Sequence, residues 1–311
     1  MAVNPPGAPT LNGDLLTIHR LLQSPTQLER RLRTLKDMKF VADRILKQKY
    51  RTRGGSLLYE VSEGITTTRP IQAVSPGSTY PYATTQDGQA ALAAVQDWGQ
   101  ASRLTDAAIK RRVRGGDELD RVLRKLLNTI LIKVDSLAIS AVASAVNRTL
   151  DATTNGGAWN GTNPNILRGL EMAKASVTDL DQGFNPDTVL LSTEMYAFMV
   201  SDDRVTNARR RETTDNPIYD GEIEIIDDLI VVKAPAARLP TADVWVFDST
   251  QLGGMADEDE VDPGYVVTEM GVQVQNERIA RANSWDIWAR RPTVPVVVEP
   301  QAGVRIINAR S

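Results

Sequence analysis

The longest regular pattern in this sequence is a run of apolar residues at helical spacing that extends to about Val146. Its members recur at intervals of three and four residues, which is the period of one face of an α-helix. At about 1.5 Å per residue, such a helix would be about 45 Å long, which exceeds the average for globular proteins. A helix of this length needs a broad surface to lie on. The pattern consists of Leu119, Val122, Leu123, Leu126, Ile130, Val134, Leu137, Ala141 and Ala145.

Composition closes most routes to catalysis and metal binding. The chain has 311 residues, no cysteine and one histidine, His19, so it has no thiolate chemistry, disulfide or histidine cluster. A lone histidine with no recognisable acid or nucleophile partner is given no role. We therefore expect neither an enzyme nor a bound metal or cofactor.

The charge distribution is uneven. The net charge of -3 conceals basic residues that crowd positions 30–133 and acids that gather later, as at 257–262. Such asymmetry indicates electrostatic contacts with partners or between copies. No signal-like start and no stretch of roughly 18 apolar residues is recognised, so we expect a chain of cytosolic origin without a membrane partner.

The start of the chain is predicted to be an extended arm. Residues 2–13 contain Pro5, Pro6 and Pro9 together with Gly7 and Gly13. Prolines at this density cannot continue a helix and cannot pair fully in a sheet. An arm of this composition has no core of its own.

Residues 53–103 have the pattern of a protruding β-hairpin. Leu57, Tyr59 and Val61 alternate with other residues, a stretch rich in Thr, Ser, Gly and Pro follows, and an apolar run returns at 90–95. Alternation, a punctuated tip and a return run are typical of two antiparallel strands. Because a lone hairpin is at best marginally stable, this one needs support from another surface.

The rest of the chain alternates helical and strand-like segments, which implies a mixed sheet flanked by helices and a largely β ending. The predicted helices are a basic one from Thr26 to about Lys47, 106–113 behind the N-cap Thr105, the long helix behind a break at Gly115-Gly116 and the N-cap Asp117, one opened by Asn163-Pro164, and 193–200; the predicted strands are 188–191, 223–226, 229–232, 244–247, 266–267, 272–274, 285–288, 294–298 and 304–307.

Four passages, taken in this order, resemble the tailed-bacteriophage major capsid proteins that share the Hong Kong 97-type fold. The passages are 98–107, which looks like the exit from the family's extended loop; 126–141 with Asp135 among aliphatics, which looks like its spine helix; 185–196, which looks like its axial strand and helix; and Ala282-Asn283, Arg290-Arg291, 294–298, Pro300-Gln301-Ala302 and Val304, which look like its C-terminal pattern.

The resemblance implies an α+β fold of the Hong Kong 97 type with an N-terminal arm, an extended β-hairpin loop, a peripheral domain with a long spine helix and an axial mixed α/β domain. It assigns residues 1–52 to the arm and basic helix, and 53–103 to the hairpin loop. The peripheral domain would comprise 104–154 and 263–292, and the axial domain 155–262 and 293–311.

The resemblance further implies a major capsid protein whose hexameric and pentameric capsomers form an icosahedral head around double-stranded DNA. The hairpin of one subunit would lie over its neighbour, and the arm would reach across. Scaffolding, portal and cement proteins would be partners, the packaged DNA would meet the inner surface without sequence specificity, and assembly would take place in the host cytoplasm. Shells of this kind cover strand edges that a lone subunit would leave unpaired.

Two groups of residues are predicted to form contacts between subunits. The first is the apolar alternation of the hairpin. The second is a basic triplet between acidic residues, in a part that faces the capsomer centre in the family, so salt bridges between subunits are favoured over phosphate contacts. The predicted contact residues are Leu57, Tyr59 and Val61 in the hairpin, and Arg209, Arg210, Arg211, Asp202 and Asp203.

Two special sites known from other proteins are not favoured. The acidic run 257–262 has neither the sixth-position glycine nor the terminal glutamate of a helix-loop-helix calcium loop, so a solvated loop is predicted there. Some members of the family join subunits by an isopeptide bond from a lysine in the extended loop. No lysine lies between Lys49 and Lys110, so the nucleophilic amine is missing and we expect no such cross-link.

Two alternative functions remain open at this point. An encapsulin-type compartment shell shares the fold and encloses enzymes instead of DNA, although such chains usually begin directly with a helix. A basic DNA-binding protein could use the segment Arg30 to Lys49, but this leaves two thirds of the chain unexplained.

Overall fold

The structure is a computed structural model that describes residues 40–62, 67, 69–84, 88–111, 115–205, 223–239, 242–268 and 270–310, without the side chains of 109–111 and 115–120. The predicted arm lies outside the described residues. The chain divides into two compact units. Within the described residues, the first unit contains Gly99–Ile130 and Val261–Arg291, and the second contains Phe40–Trp98, Leu131–Glu260 and Pro292–Ser311.

Helices and strands alternate along the described chain, together with short 3-10 helices at Ala236–Arg238, Ala280–Ala282 and Pro300–Ala302. The helices are α1 (Ala42–Ile45), α2 (Asp106–Arg111), α3 (Gly115–Ala145), α4 (Ile166–Thr178) and α5 (Thr193–Ser201); the strands are β1 (Gln48–Thr52), β2 (Ser56–Val61), β3 (Gln89–Ala94), β4 (Gln96–Thr105), β5 (Thr149–Asp151), β6 (Thr188–Ser192), β7 (Ile225–Ile226), β8 (Leu229–Ala234), β9 (Val244–Phe247), β10 (Gly253–Glu258), β11 (Val266–Val267), β12 (Gln273–Ile279), β13 (Ser284–Val297) and β14 (Gly303–Ile307).

The first unit combines antiparallel strands with α2 and the first half of α3. β12 pairs with β11 on one side and with the first half of β13 on the other, where Val274 lies opposite Ala289. β4 also pairs with β13. The buried side chains of α3 recur at the helical spacing predicted from the sequence, so they lie on one face, as expected for an amphipathic helix. The buried apolar residues of this unit include Leu104, Leu123, Leu126, Leu127, Ile130, Val272, Val274, Trp285, Ile287 and Ala289.

The second unit is built on a mixed sheet in the order β5-β14-β9-β6-β8-β7. β6 is fully buried and runs parallel to β8 and antiparallel to β9, which suits its continuous apolar sequence. Helices α4 and α5 contribute to the core that covers this sheet. The core includes Ile166, Leu170, Ala173 and Val177 of α4, Met195 and Met199 of α5, and Val189, Leu191, Val244, Val246, Val304 and Ile306 of the strands.

A second set of strands in this unit joins distant parts of the chain. β1 runs parallel to β10, with Gln48 opposite Gly254. β10 runs antiparallel to the second half of β13, with Met255 opposite Pro295. The prediction missed β1 and β10 because neither has a clear alternating pattern. It also divided β13 into two strands, which is wrong. In an antiparallel pair only alternate residues donate their N–H to the partner strand, so a proline is tolerated at a position whose N–H would point away from that partner.

Two predicted helix boundaries are wrong at the N-terminal end. α3 begins at Gly115, so the glycines lie in its first turn and Asp117 is not its N-cap. α4 is capped by Asn165, whose side chain accepts a hydrogen bond from the N–H of Arg168 at 3.3 Å, and not by Asn163. By contrast, the Thr105 cap is confirmed, because its hydroxyl accepts from the N–H of Ala108 at 3.3 Å.

The predicted basic helix is also wrong at its C-terminal end. α1 ends at Ile45, and the chain enters β1 at Gln48, where pairing with β10 replaces helical hydrogen bonds. Residues 26–39 lie outside the described part. A DNA-binding helix that continues to Lys49 therefore does not form.

The long helix α3 contains a segment, Arg121–Ala145, that is long and apolar enough to cross a membrane, since an 18-residue stretch within it has a mean hydropathy of 1.6. Half of that stretch is buried inside the protein. A core helix of a globular protein has the same composition, so the length and apolarity agree with the predicted spine helix.

Candidate interaction surfaces

The two-stranded sheet of β2 and β3 is the predicted hairpin, and its register defines two faces. Leu57 lies opposite Ala93, and Tyr59 lies opposite Ala91. Because side chains alternate along a strand, Leu57, Tyr59 and Val61 share one face. All three are half-buried. The structure therefore brings the three predicted hairpin residues together.

The opposite face carries an apolar pair that the sequence reasoning missed. Leu58 lies directly opposite Leu92, and these residues are 73% and 68% exposed. The signal was present in the sequence, because two adjacent leucines in one strand must point to opposite faces. The same face also contains the exposed Ser56 and Glu60. The hairpin thus presents apolar side chains on both sides.

Beyond the strands, residues 69–84 form a tip without regular secondary structure. Its turn is Pro76-Gly77, where the N–H of Ser78 donates to the carbonyl of Ser75 at 3.0 Å and Gly77 has φ +88°. This positive φ is the one that a type II turn requires at its third position.

Apart from Arg69, the tip is uncharged, and it carries exposed apolar side chains. Residues 70–84 contain no Asp, Glu, Lys or Arg. Ile71 is 100% exposed, Tyr80 79% and Tyr82 93%. Clustered exposed apolar residues are typical of an interaction surface.

The base of the hairpin is held by the carboxylate of Glu258. Its oxygens accept hydrogen bonds from the N–H groups of Gly54 at 3.2 Å and Gly55 at 3.0 Å, and from the hydroxyl of Thr52 at 3.1 Å. The prediction of a solvated loop is therefore wrong for Asp257 and Glu258, which end β10. Among the described residues, no group of three or more His, Cys, Asp and Glu side chains could hold a metal ion.

Two further contacts lie beside the hairpin, one at the tip end of β2 and one in β4, the strand that follows β3. The N–H of Ser62 donates to the carbonyl of Val298 at 3.0 Å. The ammonium group of Lys133, on α3, lies 4.8 Å from the centre of the Trp98 ring, within the range of a cation–π interaction. The hairpin is thus held at its base by Glu258 and at the tip end of β2 by Val298, while its Leu58 and Leu92 face is exposed.

The predicted acidic contact residues have different surroundings. Asp202 is 6% exposed, and its carboxylate accepts hydrogen bonds from the N–H groups of Ile166 at 3.4 Å and Arg204 at 3.0 Å. It therefore holds the first turn of α4 within the subunit. Asp203 is exposed and lines a cavity of about 300 Å³ together with Arg204 and the segment 159–164. The predicted Arg209, Arg210 and Arg211 lie outside the described residues.

Asp187 connects the start of β6 with the residue before β1 and with the segment that follows β9. Its carboxylate accepts hydrogen bonds from the ammonium of Lys47 at 2.7 Å and from the N–H and hydroxyl of Ser249, each at 2.8 Å. Burial raises the pKa of Asp187, but these hydrogen bonds outweigh it, so the pKa lies below the usual value. The signal in the sequence was the passage Asn185-Pro186-Asp187, whose partners could not be read locally.

In the first unit, two bidentate ion pairs fasten the segment that leads from β4 into α2. Arg103 donates to both oxygens of Asp286 at 2.7 Å, and Arg278 donates to both oxygens of Asp106 at 2.6 Å. The hydrogen bond from Arg103 holds the pKa of Asp286 below its usual range. Bidentate geometry of this kind fixes orientation as well as charge.

Known proteins resemble this chain in sequence and in fold. The profile of a family described as phage capsid protein matches residues 88–306. No curated protein sequence matches the chain.

The following are three of the solved structures that are similar to it. The capsid of a native gene transfer agent particle matches with a TM-score of 0.57 and 10% identity, over 98% of this chain and 94% of that one. A structure from Microbacterium phage Oxtober96 matches with a TM-score of 0.56 and 10% identity, over 86% of this chain and 90% of that one. The structure of a virus-like particle from Pyrococcus furiosus matches with a TM-score of 0.55 and 12% identity, over 89% of this chain and 95% of that one. At these identities the likeness is one of fold.

Proposed function

This chain belongs to the phage capsid protein family and is a major capsid protein with an α+β fold of the Hong Kong 97 type; from that premise we propose that its copies form the hexamers and pentamers of an icosahedral head around double-stranded DNA. The observation that carries the proposal is the family profile, which spans residues 88–306. An encapsulin-type compartment is not favoured, because the matching profile is that of phage capsid proteins. The chain is a structural protein of the virion capsid.

The hairpin is the element that interlocks neighbouring subunits in this proposal. Its Leu57, Tyr59 and Val61 face is half-buried, its Leu58 and Leu92 face is exposed, and residues 70–84 of its tip are uncharged. A surface of this composition is stabilised when another protein surface removes it from water. The occupant is a neighbouring copy, because the family forms shells from repeated subunits.

The domain assignment follows from the same premise. Residues 104–154 with 263–292 would be the peripheral domain, and 155–262 with 293–311 the axial domain. Asp203 and the triplet Arg209-Arg210-Arg211 would then form salt bridges between subunits near the capsomer centre, while Asp202 acts mainly within its own subunit through Ile166 and Arg204.

Other partners are proposed from the function of a head. Scaffolding and portal proteins would guide assembly, a cement protein would reinforce it, and packaged DNA would contact the inner surface non-specifically. Assembly would take place in the host cytoplasm.

The proposal is tested by expressing the full-length chain with and without a scaffolding protein. Sedimentation followed by electron microscopy should show capsomers or closed shells with hexameric and pentameric units. A stable monomer under every condition would overturn the proposal. DNA-filled heads with a portal would distinguish a phage head from an enzyme-filled compartment, and a steeply salt-dependent gel shift by free subunits would indicate a DNA-binding protein.

A further inference from the structure

Two segments of the chain connect the hairpin with the sheet that contains β10 and β13. β1 pairs with β10 and β4 pairs with β13, whereas β2 and β3 pair only with each other among the described residues. Residues 53–55 lead from β1 into β2, and Val95 alone separates β3 from β4. The N–H of Val95 donates to the carbonyl of Gly55 at 2.9 Å, so the two connections lie side by side. We call residues 53–55 and Val95 the hairpin root.

The hairpin root contains two consecutive glycines in the left-handed region. Gly54 has φ +88° and Gly55 has φ +75°. A β-carbon at either position would meet no described atom within 4 Å, so close packing does not require these glycines. Glycine adopts positive and negative φ about equally readily, so the chain can change direction here at low energetic cost.

Three hydrogen bonds at the hairpin root converge on one carboxylate. Oε1 of Glu258 accepts from the N–H of Gly54 at 3.2 Å, and Oε2 accepts from the N–H of Gly55 at 3.0 Å and from the hydroxyl of Thr52 at 3.1 Å. Glu258 ends β10 and lies opposite Thr52, so the carboxylate is attached to the paired sheet. Hydrogen bonds to an ionised acceptor are about twice as strong as neutral ones.

The other restraints on the hairpin are weaker. The N–H of Ser62 donates to the carbonyl of Val298 at 3.0 Å, but Ser62 is exposed, so water competes for this neutral bond. One face of β2 is exposed and the other is half-buried, so burial holds the hairpin only in part. Among the described contacts, the three bonds to Glu258 are therefore the strongest restraint on the direction of the hairpin.

We propose that the hairpin root is a hinge and that Glu258 is its latch. While the three hydrogen bonds hold, the hairpin keeps its present direction; when they break, β2 and β3 stay paired and turn together about Gly54, Gly55 and Val95. The hinge is a property of the single subunit. Its use rests on the proposed function: in a shell, the same hairpin must meet its neighbour at different angles in hexamers and in pentamers.

The absence of cysteine from the chain allows a direct measurement of this motion. Ala90→Cys on β3 and Ala175→Cys on α4 replace exposed residues, and spin labels on them report one distance in full-length, unassembled subunits by double electron–electron resonance. We expect a narrow distance distribution in this labelled chain and a broadened one after Glu258→Ala. Asp259→Ala is the matched control, because it removes the same charge from an adjacent residue that contacts two arginines at 3.5 Å. It should leave the distribution narrow.

Hydrogen exchange distinguishes a hinge from a hairpin that unfolds. In Glu258→Ala the amides of Gly54 and Gly55 lose their acceptor, so their protection should fall roughly tenfold. The amides that pair β2 with β3 should keep their protection, because the two strands move as a unit.

A second variant, Glu258→Gln, covers the case in which Glu258→Ala disturbs β10. It keeps the size of the side chain and one carbonyl acceptor, and it should give intermediate broadening. A narrow distribution in both Glu258 variants, equal broadening in Asp259→Ala, or loss of protection throughout β2 and β3 would overturn the hinge. Because unassembled subunits are measured, a hairpin that turns in subunits that never form shells would leave the hinge intact and overturn the proposed function.

Discussion

At the scale of single residues, close backbone packing depends on glycines in β10. Gly253 has φ +153°, and a β-carbon there would collide with the carbonyl oxygen of Val296. A β-carbon on Gly254 would collide with the carbonyl oxygen of Gln48. These two positions therefore allow β10 to lie between β1 and β13.

Gly254→Ala should lower the free energy of unfolding by roughly 1–3 kcal/mol, because the added methyl group forces β1 away from β10. Urea denaturation of unassembled subunits measures this. Gly169→Ala is the matched control: its site in α4 has only an ordinary contact, to the carbonyl oxygen of Asn155 at 3.4 Å. Replacing glycine in a helix with alanine should raise stability by roughly 0.5–1 kcal/mol. The same sign for both variants would contradict the packing argument.

Asp187 gives a second residue-scale prediction. Its pKa is lowered in the fold, so its contribution to stability is present above its ordinary pKa and is lost as the pH falls through the lowered value. Asp187→Asn should cost roughly 1–3 kcal/mol at pH 7, because the hydrogen bonds from Lys47 and Ser249 lose their charged acceptor. Thermal denaturation across pH 3–7 should show that the variant loses less stability at acidic pH than the native chain does. Asp179→Asn, an exposed change, should leave that profile unaltered.

At the scale of elements, the hairpin is the clearest case of structure that a subunit does not stabilise alone. Among the described residues its strands pair with each other only, in a two-stranded sheet. Glu258 holds its base, and the carbonyl of Val298 binds Ser62 at the other end of β2. The apolar side chains on both faces add nothing to a subunit core where they are exposed. In the proposed shell, their contribution belongs to contacts between subunits.

Leu58→Asp should leave the fold of the subunit intact and reduce the yield of particles, because Leu58 is 73% exposed before assembly and would carry an unpaired charge into an interface afterwards. Tyr59→Asp on the other face should act in the same direction, with a larger effect on the subunit because Tyr59 is half-buried. Circular dichroism reports the fold, and a sedimentation gradient reports the yield. Leu58→Met is the control that should preserve both. Normal assembly of both Asp variants would mean that the hairpin does not lie in the interface between subunits.

Deleting residues 65–80 removes most of the tip and tests whether the extended length of the hairpin is needed for assembly. The subunit should retain its melting behaviour, because the cores of both units lie elsewhere, while shell formation weakens. Loss of the fold would mean that the tip belongs to a subunit core.

At the scale of the whole molecule, both units are assembled from distant segments of the chain. The contacts between subunits in a particle are expected to be noncovalent. The hairpin and its flanks contain no lysine between Lys49 and Lys110. Denaturing electrophoresis of mature particles should therefore show one band near 34.1 kDa. Bands at multiples of that mass would mean that a lysine elsewhere forms a cross-link.

The sequence by itself determined the elements whose signal is local. The period of Leu123, Leu126 and Ile130 predicts α3, the apolar run at 188–191 predicts β6, and the alternation from Leu57 to Val61 predicts β2, because each pattern depends on neighbours along the chain. The family resemblance came from the order of such passages.

Only the tertiary structure decided the pairings and the surroundings of particular side chains. β1 forms because Gln48 meets Gly254, and Glu258 anchors the hairpin because Gly54 and Gly55 lie beside it. These partners are separated by more than two hundred residues, as the numbering shows, and no local pattern encodes such a contact. Register, burial and hydrogen-bond partners depend on which distant segments pack together, and that is a property of the folded chain.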